Sequence, residues 1–222
     1  MQKVIDKIKS LSRVQLLAIV LVLAGIGIMA SRAIGMFDFY KEVNYARQNN
    51  FAAGNLSTDL LRPWMTIRYV SVGYAIPQQY LFNVVGVPTR KESSMISLSR
   101  LNSQMKLGKT EDGRPAILEV IARAITEYRQ HPVVTGLIER EVQDWMTLQY
   151  IANSTGLPVE TFFTELGIPA NDNAYKPLGF LADELNYSGG PKALIQDVQK
   201  VVDRIAPPLA PEPPVPPTEK QP

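Results

Sequence analysis

The chain has 222 residues, 45% of them apolar and 20% charged, enough for one domain of ordinary size or two small ones and unlike the composition of a disordered chain. It contains no cysteine, which excludes disulfides, zinc–thiolate sites and cysteine nucleophiles, and a single histidine, which excludes a histidine pair on a metal. The net charge of +2 comes from the start of the chain. Lys3, Lys7, Lys9 and Arg13 against Asp6 give the first thirteen residues +3, so residues 31–222 sum to −1 and are not a basic nucleic-acid binder by composition.

The stretch from Val14 to Ala30, VQLLAIVLVLAGIGIMA, is uncharged, with Gln15 its one strongly polar residue. As a helix it spans roughly 26 Å of a hydrocarbon core about 30 Å thick. Leu11 extends one end, and Arg13 and Arg32 snorkel to the interface. Ala24, Gly25 and Gly27 put small residues on one face, where another helix could seat. A cleaved export signal is the competing reading, with Ser31 and Ala33 as small residues at a cleavage site. The apolar run exceeds the usual signal core of about 7–15 residues, which favours retention. The excess of lysine and arginine before the helix places the N-terminus in the cytoplasm and the remainder across the inner membrane, in the periplasm of a Gram-negative cell.

Past the anchor the sequence repeats itself. Residues 62–88, RPWMTIRYVSVGYAIPQQYLFNVVGVP, align without a gap on residues 143–169, QDWMTLQYIANSTGLPVETFFTELGIP, at an offset of 81. Trp64 pairs with Trp145, Thr66 with Thr147, Tyr69 with Tyr150, Pro77 with Pro158 and Gly86 with Gly167. More loosely, the segment from Ser97 matches that from Pro177, and each copy ends in a one-sided helix, one from Ala116 and the other from Lys192. The threonines are N-cap residues, the prolines open a second helix and the glycines close it. Four short helices per copy follow.

The expected fold class is all-α. A basic cytoplasmic flank over 1–13 leads to a transmembrane helix over 14–30 and a helical connecting segment over 31–59. A first helical repeat over 60–130, a linker over 131–140 and a second repeat over 141–205 precede a Pro-rich disordered tail over 206–222. That tail has eight prolines in the sixteen residues from Pro207, a composition favouring polyproline II and a reach of roughly 50 Å.

The stretch TLQYIANSTGLPVETFFTEL resembles a helix-turn-helix unit, with Ala152 in its first helix, Gly156 at the turn and Leu157 and Phe162 as apolar anchors. It also looks like the short MTLxxIAxxxGIPxxxLxxxLGLP modules of bacterial membrane-associated proteins, a resemblance that implies a compact accessory fold and no defined chemistry. In the first copy Ser71 and Ala75 stand in place of the small residue and the turn glycine. Helix-turn-helix units normally imply DNA, but the second helix of the unit is uncharged in the first copy and carries Glu160 and Glu165 in the second, which phosphates repel.

No catalytic, metal or cofactor constellation is expected. His131 reads as a linker residue, and the carboxylates Glu139, Glu141, Asp144, Asp183 and Glu184 read as solvated faces. Trp64, Tyr69, Trp145 and Tyr150 are the candidate interaction residues, with packing into their own modules as the leading reading and a contact surface as the other. The leading functional expectation is a membrane-anchored, non-catalytic scaffold of the bacterial envelope. Its partners would be the lipid bilayer and a membrane or periplasmic protein, with no nucleic acid. The alternatives are a periplasmic small-ligand or cell-wall binding module, and a membrane-tethered DNA-binding regulator.

Overall fold

The computed structural model describes residues 44–51, 54, 56–138 and 141–205. The expected membrane helix Val14–Ala30, its basic flank, most of the connecting segment and the Pro-rich tail lie outside the described residues. Among the described residues no helix is long and apolar enough to cross a membrane. The chain divides into two compact units at Asn49/Asn50. In the first, residues 44–48 make a helical turn that Asn49 closes, its backbone N–H and its side-chain amide both donating to the Tyr45 carbonyl at 3.1 and 2.8 Å.

The second unit is all-helical among the described residues. After a 3₁₀ turn at Thr58–Leu60, the first module runs α1 (Ile67–Tyr74), α2 (Gln78–Val85), α3 (Lys91–Ser94), α4 (Leu98–Gln104) and α5 (Ile117–Gln130). The second runs α6 (Leu148–Thr155), α7 (Val159–Leu166), α8 (Leu178–Glu184) and α9 (Gly190–Ile205). The β-branched residues Val70, Val72, Val84 and Val85 all lie within α1 and α2.

Local chemistry explains the parallel boundaries. Thr66 and Thr147 adopt extended backbone, and each hydroxyl accepts from the N–H three residues on, at Tyr69 and Tyr150, both at 3.1 Å. That satisfies one orphan donor of each first turn. Thr147 is fully buried, so Thr147→Ala is expected to cost about 1 kcal/mol, read as a lower denaturant midpoint at unchanged slope. Pro77 and Pro158 precede α2 and α7 in extended conformation, and Gly86 and Gly167 end them at φ 75° and 63°. At the turn between the first two helices, Gly156 adopts φ 77° and Ala75 adopts φ 52°. The first copy therefore makes the same left-handed turn without the glycine. Alanine there costs roughly 1–2 kcal/mol, which burial of Ala75 and Ile76 offsets.

Tertiary hydrogen bonds repeat as well. Leu98 N–H donates to Met65 O at 2.7 Å and Ser99 N–H to Pro63 O at 2.9 Å; in the second module Leu178 N–H donates to Met146 O at 2.8 Å and Gly179 N–H to Asp144 O at 2.9 Å. Each pair ties the start of α4 or α8 to the strap before α1 or α6. The chain then leaves these helices through left-handed residues at matching places, Lys106 at φ 53° and Asn186 at φ 49°. The terminal helices close each module: α5 packs on α2 and α4, and α9 on α8 and α7. Ile117, Ile121, Ala124 and Tyr128 form the buried stripe of α5, and Leu194, Val198 and Val201 that of α9, the spacing of helices with one apolar face.

The modules diverge at a buried polar position of α4. Asn102 donates to Gly108 O at 2.8 Å and accepts from Ile117 N–H at 2.9 Å, so its amide fastens the loop before α5 to the start of that helix. Ala182 stands at the corresponding place in α8 and forms no such tie. The first module also encloses a tyrosine pair. The Tyr80 and Tyr128 rings lie 5.2 Å apart, and Tyr80 Oη donates to Ala124 O at 3.3 Å. Burial, with a smaller contribution from Tyr80, pushes the Tyr128 phenol up to about 12 from its ordinary value of 10. Because the folded value is raised, the contribution of neutral Tyr128 to stability is complete below pH 10 and is lost as pH rises through about 12. A phenolate-absorbance titration is expected to show Tyr128 ionising late, together with unfolding; ionisation near its ordinary value in the folded protein contradicts this.

Candidate interaction surface and inter-module seam

Each module places its Trp–Tyr pair in the same way. The tryptophan lies two residues before the N-cap threonine and the tyrosine three after it, so the capping turn folds one ring back on the other. Trp64 and Tyr69 meet edge to face with centroids 5.1 Å apart, and Trp145 and Tyr150 tilt together at 5.6 Å. Trp64, Tyr69 and Trp145 are half-buried, whereas Tyr150 is 1% exposed and belongs to the interior. Trp145 packs along the core of its own module. Tyr150 thus lies in the core against the Trp145 ring. In the first module the ring series extends to Phe51, 5.7 Å from Tyr69. Gly73 makes this possible, since a Cβ there would lie 2.8 Å from the Phe51 ring.

Between the modules runs a seam. The Arg68 guanidinium lies 4.7 Å from the Trp145 ring centroid and reaches Ser94 Oγ at 3.4 Å. Arg68 Nε is buried with no hydrogen-bond partner, a cost that the cation–π contact of about 0.5–2 kcal/mol partly offsets. At the other end Asn153 donates to Ala75 O at 2.6 Å, so the α6 side chain reads the left-handed turn of the first module. The linker joins in, with Gly136 N–H donating to Ser154 O at 2.7 Å and Val134 set against Gly156. Gly54 lies under the Tyr175 ring, whose carbons a Cβ there would meet.

Arg68, Asn153, Gly54 and Tyr175 were outside the expected residues. The available signal was asymmetry: where the first copy has Arg68 the second has Gln149, and where the second has Asn153 the first has Val72. Two of the positions at which the copies differ, Arg68 and Asn153, thus help to join them.

The polar clusters are occupied with one another. An open groove of about 270 Å³ between α7 and α9 is floored by Leu166 and Val201. Along it Lys200 donates to Asp197 at 2.7 Å, Tyr187 Oη donates to Asp197 at 3.0 Å, and Arg204 pairs with Glu165. The Lys200 ammonium, then the Tyr187 hydroxyl, hold the Asp197 carboxyl below its ordinary value, while burial and Asp197 push the Tyr187 phenol up. Elsewhere Glu184 pairs with Lys176 at 2.6 Å, and Glu141, Asp144 and Asp183 are exposed. Glu139 lies outside the described residues. His131 is exposed at the end of α5, 4.0 Å from Glu127. Gly189 and Gly190, both at positive φ, form the turn into α9. Among the described residues no three acidic or imidazole side chains converge as metal ligands would. No protein-family model, curated protein or solved structure matches the chain.

Proposed function

We propose that this chain is a membrane-anchored, non-catalytic docking protein of the bacterial envelope, held by Val14–Ala30, whose paired helical modules bind a membrane or periplasmic protein. The observation that carries the proposal is the seam. Arg68 on Trp145 and Asn153 on the Ala75 carbonyl fasten two copies of one module side by side, so a partner meets a composite surface that neither copy offers alone. Half-buried Trp64 and Tyr69 supply the kind of amphipathic ring edge that interfaces favour. The resemblance to short modules that accompany membrane segments supports the same function, and the Pro-rich tail adds a second means of contact.

A nucleic-acid partner is disfavoured by charge. The helix that would enter a groove is α7, and Glu160 and Glu165 are both exposed on it, where they oppose phosphate. Purification of the full chain in mild non-ionic detergent tests the proposal. A second envelope protein is expected to co-purify and to crosslink to residues 60–205. A chain that emerges without a second protein under several extraction conditions, and crosslinks to none in cells, overturns it.

A further inference from the structure

The near-neutral body is the sum of two opposite modules. Residues 60–130 carry ten lysines and arginines against five acidic residues, a net of +5, whereas residues 141–205 carry four against nine, a net of −5. Between described residues every ion pair stays within its own module or at the end of α5, as in Arg114–Asp112, Lys176–Glu184, Lys200–Asp197 and Arg204–Glu165.

The opposition is sharpest around α4 in the first module and α8 in the second. At the exit of α4 in the first module, Lys106 and Lys109 are exposed on either side of Leu107 in the chain, itself 38% exposed, and Arg100 is exposed on α4. Where α8 ends in the second, Asp183 and Glu184 are exposed beside Phe180, which is 57% exposed. Asp144, exposed, adjoins them, its carbonyl accepting from Gly179. Each region thus carries an exposed apolar residue with charged neighbours, mostly basic in the first module and, with Glu184 held by Lys176, mostly acidic in the second.

We propose that the chain associates with a second copy of itself head to tail, the basic α4 corner of one docking on the acidic α8 corner of the next. The complement to each face is present on the same chain, which favours a second copy over other occupants. Such a contact is heterologous and leaves one face free at each end, so it propagates into rows unless the rotation closes a ring. Complementary charge speeds encounter and fixes register, and the apolar centres add contact area.

Sedimentation and crosslinking of the full chain in non-ionic detergent test this. Association is expected at about 0.01 M salt, where the screening length is about 30 Å, and is expected to weaken at least about tenfold at about 1 M, where it is about 3 Å. Arg100→Glu/Lys106→Glu/Lys109→Glu and Asp144→Lys/Asp183→Lys are each expected to abolish self-association alone and to associate when mixed, because each restores the face the other lacks. A wild-type chain that stays monomeric at low salt overturns the proposal without needing any variant. So does association that the reversals leave unchanged, or capture of the basic module by anionic vesicles in place of a second copy. A monomeric chain that still co-purifies with another envelope protein overturns self-association alone and leaves the docking function standing.

Discussion

Tyr150→Ala is expected to cost about 3–5 kcal/mol of stability, the loss typical of deleting a large ring from a core. Tyr150 is among the largest fully buried side chains, at 1% exposure, and shares the second module's core with Met146, Phe162, Leu178 and Val198. The threonine cap does not compensate, because Thr147 bonds the Tyr150 backbone N–H and is unaffected by what the side chain loses. The effect also reaches the surface. Trp145 rests 5.6 Å from the Tyr150 ring and carries Arg68 on its face, so removing the support loosens the seam. Denaturation followed by the fluorescence of Trp145 alone, in a Trp64→Phe background, measures it. Tyr150→Phe, which keeps the ring, is expected to cost much less than Tyr150→Ala. A Tyr150→Ala loss below about 0.5 kcal/mol, the range of ordinary surface changes, contradicts the core assignment.

Gly54→Ala is the second large effect, and it acts far from either core. Gly54 holds φ +74°, so an alanine there costs roughly 1–2 kcal/mol in backbone strain, and its Cβ would enter the Tyr175 ring. The half-buried tip of the Tyr175 side chain must swing aside, which adds a steric cost. The two contributions separate in a double-mutant cycle, since Tyr175→Ala removes the steric part and leaves the strain. Gly54→Ala is therefore expected to be markedly less costly in a Tyr175→Ala background than in the wild type. Equal cost in both backgrounds sinks the claim that the segment before the first module packs on the second.

The repeat was legible because its signals are local and identical. Threonine caps, helix-opening prolines and helix-closing glycines act within one turn of the chain, so a fixed offset exposes them directly. The first-copy turn shows the limit of that logic. Ala75 lacks the sequence signature of a left-handed residue and takes the conformation anyway, because burial of its neighbours outweighs its intrinsic preference. Tyr69 and Tyr150 occupy the same place in the same motif, yet one is half-exposed and the other buried. Their difference is set by tertiary surroundings that no local pattern encodes. Arg68 and Asn153 were illegible for a related reason: their roles come from contact with the other copy, which no signal within one turn of the chain encodes. Charge was legible in composition, but the near-zero total of the body is the sum of a module of +5 over residues 60–130 and one of −5 over residues 141–205.

Where the body stands relative to the membrane bears most directly on the proposed function, since it decides whether the modules meet envelope proteins or the chromosome. A reporter fused after Pro222 in the full chain, with the membrane fraction washed at high salt, measures it. The chain is expected to remain in the membrane pellet with a reporter active only outside the cytoplasm. A reporter active in the cytoplasm, or a chain released by the wash, contradicts an anchored docking protein facing the periplasm.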